Sequence, residues 1–164
     1  MLVLDFEMLL EVRDKFLSRI SVSFGEVLPL FLAMSELGLR FSEAYELKRW
    51  EVVNNSLYRL KTAKKGEFRF INVNDIPELF LLRLQANLDY ATPYSYSTVL
   101  RIFNRYYLVS NMKVGRKGTG THIFRHLRAK DLYTKGYSIE DIQLYFGHIK
   151  VESTLTYINS SIYI

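Results

Sequence analysis

The run His122-Ile123-Phe124-Arg125-His126 packs more functional chemistry into five residues than any other part of the chain. On a helix, residues three apart share a face, so His122 and Arg125 project together while Ile123, Phe124 and Leu127 are left for the core. An arginine carries a fixed fork of donors matched to phosphate or carboxylate oxygens. A histidine beside it exchanges a proton near neutral pH. Gly118, Thr119 and Gly120 just upstream let backbone approach a ligand closely, and the first helical turn adds unpaired N–H groups facing any bound anion. The competing reading is a basic helix face open to solvent. Two further segments hold polar residues that packing does not require. Gly38-Leu39-Arg40-Phe41-Ser42-Glu43 places an arginine at a helix junction with a carboxylate three residues later, which reads equally as a solvated ion pair of little energetic weight. Gly147-His148, followed by Tyr157, supplies an imidazole and a phenol that separately read as a capping residue and a packing residue.

Other chemistries fail on their spacing. His122 and His126 stand four apart, as on a zinc-binding helix, but Ile123 occupies the place of the glutamate that a metalloprotease needs. The chain has no phosphate-binding Gly-x-x-x-x-Gly-Lys-Ser/Thr loop, no Gly-x-Ser-x-Gly elbow and no carboxylate cluster suited to two-metal nuclease work. It has no Cys, which excludes disulfides, thiolate zinc sites and a cysteine nucleophile together. We therefore expect no metal and no cofactor. A length of 164 residues, with 49% apolar and 24% charged, is one globular domain or at most two very small ones. Net charge +5 permits an anionic partner without requiring one. The N-terminus lacks the basic flank of a signal peptide and the longest apolar run, Val27 to Met34, falls short of the roughly 20 residues that span a bilayer, so a soluble, cytoplasmic protein is expected.

The elements that must position these residues are mostly helical. Asp5 caps a helix to about residue 20, and a broadly apolar helix from Phe24 to Leu37 ends at Gly38. Ser42 caps a short helix reaching Leu47. Trp50 to Val53, Ser56 to Lys61 and Glu67 to Val73 read as strands. Helical periodicity returns at 75–88 and 97–107. Val114 to Thr121 reads as a loop, Thr121 as the cap of a helix to Thr134, and Ser138 as the cap of Ile139 to Phe146, stopped by Gly147. One or two helical turns cover Ser153 to Tyr157. The expected fold class is α+β, mostly helical, with a small three-stranded antiparallel sheet.

Taken in order, the three polar segments resemble the catalytic domain of the tyrosine recombinase, or phage integrase, family. Gly38 to Leu47 resembles the family's arginine turn, and Thr121-His122-Ile123-Phe124-Arg125-His126 its His-x-x-Arg box. Gly147-His148-Ile149-Lys150-Val151-Glu152-Ser153-Thr154-Leu155-Thr156-Tyr157 reproduces its nine-residue step from histidine to nucleophilic tyrosine. The resemblance runs from about Leu4 to Tyr157 and implies a tyrosine-recombinase-like fold. It implies that Arg40 and Arg125 hold the non-bridging oxygens of a scissile phosphate, and that Tyr157 attacks phosphorus to form a 3′-phosphotyrosyl bond. His122 would be the general base and His148 a hydrogen-bond donor to the phosphate. Lys61 takes the position of the family's hairpin lysine, with Lys64 and Lys65 in the same turn as alternatives. Glu43 matches an acidic position that supports the site. Phe124 stands where leucine is usual, and the hairpin from Lys61 to Arg69 is longer than usual.

Double-stranded DNA is the partner this resemblance implies, engaged by further recombinase protomers as a tetramer on paired sites. Arg59, Lys64, Lys65 and Arg69 around the hairpin, Arg116 and Lys117 in the glycine loop, and Arg101 and Arg105 on a helix are the expected backbone contacts. The whole chain corresponds to the catalytic domain, and the family's usual N-terminal DNA-binding domain is expected to be absent from it. A phage or mobile element in a prokaryote, with a nucleoid-associated product, is the implied setting. A type IB topoisomerase-like activity shares this phosphate chemistry, and a catalytically silent DNA-binding accessory protein is the rival from another class. The apolar tail Ile158 to Ile164 is expected to dock on a neighbouring subunit or to pack as a short strand or helix on its own domain.

Overall fold

The computed structural model describes residues 3–46, 50–61, 68–86, 93–106, 113–114, 117–118, 120–148, 150–159 and 162–163. Helix α1 spans Phe6–Ser23, capped by the Asp5 carboxylate, which accepts from the Met8 N–H at 2.8 Å. A single 3-10 turn, Gly25–Val27, then leads into α2, Leu28–Leu37, with Pro29 in its first turn. The uninterrupted helix expected from Phe24 is thus split, because Phe24 adopts φ −145° and cannot belong to a helix. Gly38 closes α2 at φ +64°, and no other residue type would serve: a Cβ there would lie 2.5 Å from the Phe146 ring.

Helix α3, Phe41–Tyr45, starts on Arg40 and not on Ser42. Glu43, its third residue, reaches back to accept the Arg40 N–H at 2.7 Å, and this carboxylate cap outcompetes a serine two residues later. Strands β2 (Trp50–Asn54), β3 (Leu57–Lys61) and β4 (Phe68–Asn72) form the expected antiparallel sheet in the order β2-β3-β4. A 3-10 turn at Val73–Asp75 precedes α4, Glu78–Gln85, whose start is set by Pro77 and not by Asp75. Helix α5 covers Tyr96–Tyr106, α6 Ile123–Thr134, α7 Ile139–Phe146 and α8 Val151–Asn159. Ser138 caps α7 by accepting from the Asp141 N–H at 3.1 Å, and Gly147 ends it at φ +66°. The cap expected at Thr121 is replaced by a 3-10 turn, Gly120–His122, that runs straight into α6 from His122.

A second sheet was not expected. Strands β5 (Lys113–Val114) and β6 (Lys117–Gly118) pair as a hairpin where a loop was predicted, and β7 (Ile162–Tyr163) pairs on one side with β5 and on the other with β1 (Val3–Leu4). The tail therefore packs as a short strand on its own domain. No helix among the described residues is long and apolar enough to cross a membrane.

Two apolar clusters carry the helices. The larger is centred on Phe16, Phe31, Phe103 and Phe124 from α1, α2, α5 and α6, whose rings meet at centroid distances of 4.9–6.3 Å. The smaller joins Ala129 and Leu132 of α6 to Ile142 and Phe146 of α7 and Ile158 of α8. The turn after α2, the start of α6 and the α7–α8 turn converge between these clusters. Arg40, the His122–Arg125 pair and His148 lie on or beside those turns, and Tyr157 is carried by α8.

Candidate active site

Tyr157 sits in the last turn of α8, and its hydroxyl faces both members of the His-x-x-Arg pair. His122 Nδ1 lies 3.2 Å from it and the Arg125 Nε–H 3.3 Å. An arginine nitrogen can only donate and a neutral imidazole nitrogen can accept, so the phenol is placed to give its proton to His122 while its oxygen takes a hydrogen bond from Arg125. Arg125 is fully buried although its residue type is ordinarily a surface one. Its Nη1 donates to the Gly38 carbonyl at 2.6 Å, its Nη2 is 3.4 Å from His148 Nε2, and its guanidinium stacks on Phe146 and Tyr157. Burial pushes the Arg125 pKa below the usual arginine range, opposed chiefly by Tyr157.

His148 is held from both sides. Its Nδ1 lies 2.8 Å from the Thr154 hydroxyl, which is buried in α8, and its carbonyl accepts from Gln143 at 3.1 Å. Its ring stacks on Tyr157, 5.3 Å between centroids and 11° from parallel, and on Phe146 at 5.5 Å and 16°. Phe146 is therefore a shared platform under Arg125, His148 and Tyr157. Behind Tyr157 the buried His126 ring stands edge-on at 4.4 Å, with its Nδ1 unpartnered. Desolvation lowers its pKa to about 4, so it is neutral at physiological pH.

Arg40 joins this cluster through Glu43. The Glu43 carboxylate is fully buried, and its Oε1 has Arg40 Nη1 at 3.6 Å, Arg125 Nη1 at 3.7 Å and Arg69 Nη1 at 3.9 Å. Arg69 overturns its assignment to a DNA-facing hairpin surface. In β4 the alternation is inverted: Phe68 and Phe70 are exposed, Arg69 is 2% exposed, and Ile71 is buried. Its Nε donates to the Tyr145 carbonyl at 2.7 Å and its Nη2 to the Leu37 carbonyl at 3.0 Å. Burial lowers its pKa to about 10, which still leaves it charged at neutral pH. The sequence reading missed Arg69, Phe146, Thr154 and His126. Only the period-2 pattern of β4 carried a signal, since it places Arg69 on the same face as Ile71.

Of the other expected residues with described side chains, Arg59, Arg101 and Arg105 stand apart from the cluster. Lys61 ends β3, in register with Phe68 and one step from the Leu60–Arg69 pair. Lys64, Lys65 and Arg116 lie outside the described residues, and Lys117 is placed in β6 opposite Val114. Arg59 pairs with Glu51 on the sheet surface and covers the Phe68 ring at 4.6 Å. Arg101 and Arg105 are exposed on α5, at the rim of an apolar recess of about 220 Å³ walled by Phe24, Tyr94, Ile102 and Tyr106.

A buried arginine and a histidine converging on one tyrosine nine residues after a second histidine is a specific arrangement, and the sequence as a whole matches the model of the phage integrase family over residues 26–162. The chain belongs to that family. Solved integrase-type structures share its fold. XerA recombinase superposes with a TM-score of 0.65 at 19% identity, over 96% of this chain and 60% of that one. The catalytic domain of bacteriophage HP1 integrase gives 0.63 at 19% identity, over 91% and 84%. The XerH site-specific recombinase, in a pre-cleavage complex bound to difH substrate, gives 0.56 at 21% identity, over 94% and 49%. The chain thus spans 60% or less of the XerA and XerH chains. No curated protein matches it in sequence.

Proposed function

We propose that this integrase-family chain is a site-specific DNA recombinase that cleaves and rejoins strands through a 3′-phosphotyrosyl intermediate. The observation that carries the proposal is the Tyr157 hydroxyl set between His122 Nδ1 at 3.2 Å and Arg125 Nε at 3.3 Å. A phenol of pKa near ~10 is a poor nucleophile at neutral pH, and a base on one side with a cation on the other addresses both halves of that difficulty. Tyr157 Oη forms a bond to phosphorus, its proton passes to His122, and the bond from phosphorus to the 5′-oxygen breaks. Arg40, Arg125 and His148 stabilise the charge that gathers on the equatorial oxygens. Lys61 is assigned the proton for the departing 5′-oxygen. Because the phosphotyrosyl ester keeps the energy of the original phosphodiester, a 5′-hydroxyl from a second strand reverses the sequence and joins new partners.

Arg125 has two tasks that fit together. Its Nη1 is committed to the Gly38 carbonyl, which fixes the guanidinium plane, while Nε and Nη2 point at Tyr157 and His148, where the phosphate would sit. Double-stranded DNA is the proposed substrate, and a tetramer on two paired sites the proposed working assembly.

The test uses nicked duplexes cut from the DNA that flanks the gene. Wild type is expected to leave a covalent protein–DNA band on a denaturing gel, and Tyr157→Phe none. Equal trapping by Tyr157→Phe would assign the nucleophile elsewhere. Relaxation of any supercoiled plasmid, with no joining between two sites, would point instead to topoisomerase-like chemistry.

A further inference from the structure

We propose that Arg69, a residue outside the expected catalytic set, is a positioning residue that absorbs the charge of Glu43 and so leaves Arg40 and Arg125 free to bind an anion. The inference rests on the recombinase reading only for the identity of that anion, a DNA phosphate. Three guanidinium groups surround one buried carboxylate oxygen at 3.6–3.9 Å, so the pocket carries an excess of two positive charges. Without Arg69, the same carboxylate would face only Arg40 and Arg125, and one of those two charges would be cancelled inside the fold. Buried charges are weakly screened, so that difference acts at nearly full strength on a ligand.

The geometry separates Arg69 from its two companions. Arg40 Nη1 is buried without a hydrogen-bond partner, and Arg125 turns Nε and Nη2 towards Tyr157 and His148. Arg69 instead spends its Nε and Nη2 on the carbonyls of Tyr145 and Leu37. Those carbonyls end the two helices whose turns present His148 and Arg40, so one side chain from the sheet ties both turns together. Its Nη1 faces Glu43 and has no hydrogen-bond partner of its own. Buried at 2% exposure, with Nη1 turned to the Glu43 carboxylate, it is not placed to touch a phosphate, and its effect on one must pass through Glu43.

Inorganic phosphate is the probe, titrated into the whole protein and followed by phosphorus NMR, with melting temperature measured in parallel. Pocket charge orders the expected affinities. Arg69→Gln is expected to bind phosphate about tenfold more weakly than wild type. Arg69→Lys, which keeps the charge, is expected to stay within about threefold of it. Glu43→Gln keeps the acceptor for the Arg40 N–H and is expected to bind more tightly. The decisive variant is the pair Glu43→Gln/Arg69→Gln, which restores the wild-type excess of charge and is expected to recover the affinity that Arg69→Gln alone loses. A purely structural Arg69 would make the pair weaker than either single change, and that result overturns the proposal. So does Arg69→Lys binding as weakly as Arg69→Gln, or wild type showing no saturable phosphate binding. If the phosphate series holds while wild type never links to DNA, the role of Arg69 stands and the recombinase reading falls.

Discussion

Arginine is used in two opposite ways in this molecule. On α5, Arg101 and Arg105 are exposed at the rim of an apolar recess, where water screens them and neither has a carboxylate partner among the described residues. At the junction of α2, α3, α6 and β4, Arg40, Arg69 and Arg125 crowd around one buried carboxylate, and Arg69 and Arg125 also donate to chain carbonyls. The first kind contributes to long-range attraction and little to the fold. The second is part of the fold, since the guanidinium groups of Arg69 and Arg125 also pin turns. The contrast teaches that a count of basic residues says little about an anion site, while their burial and carbonyl partners say much.

The sharpest way to break the contrast is at Arg125. Arg125→Ala strips the Tyr157 hydroxyl of a donor and leaves Gly38 O and Glu43 short of a partner. We expect a loss in DNA cleavage of about 10³-fold or more in single-turnover assays, against wild-type-like cleavage for Arg101→Ala. Glu43→Ala is expected to lower unfolding free energy by about 3–5 kcal/mol in urea titrations, because it leaves two buried guanidinium groups and the partly buried one of Arg40 unbalanced.

A smaller effect separates His126 from the arginines. Its pKa is lowered to about 4 by burial, with His122, Lys130 and Arg125 adding to the shift and the Tyr157 backbone opposing it. As pH falls from about 6.5 the unfolded chain takes up a proton that the folded chain refuses, so the stabilisation is complete above that pH and is lost towards pH 4. Melting curves are expected to show a decline of roughly 3 kcal/mol from this group across the interval, and His126→Phe to flatten it. The smallest expected effect is at the other kind of site. Arg101→Ala should change stability by less than about 0.5 kcal/mol, and should lower the slope of log affinity for DNA against log salt by about one.

What the sequence made legible was local. Asp5, Ser138, Gly38 and Gly147 mark helix ends because a cap is settled within three or four residues, and each stands where the pattern placed it. The spacing of His122 and Arg125 likewise put both on one helical face, and both meet Tyr157. The failures are at long range. Arg69 bonds to carbonyls 32 and 76 residues away in the chain, and no neighbouring residue announces those partners. With Phe68 and Phe70 outside and a charge inside, β4 also inverts the usual rule of burial. The two-residue strands β1, β5, β6 and β7 are too short to leave any periodicity. Arg40 outranked Ser42 as the start of α3 because Glu43 was needed at the arginine cluster, which is a tertiary demand and not a local one.

The pairing of β7 has a mechanical meaning. Tyr157 lies two residues from the end of α8, and only two residues separate Asn159 from Ile162, a span of roughly 10 Å at full extension. Lys130 grips the same segment from α6 by donating to the Ile158 carbonyl at 2.9 Å. A DNA end joined to Tyr157 in the proposed reaction would be moored on a short leash, anchored between β1 and the hairpin of β5. In the proposed reaction, recoil of the attached end could not exceed that leash unless β7 were peeled from both neighbours, and the severed strand would stay close to the side chains proposed to reseal it.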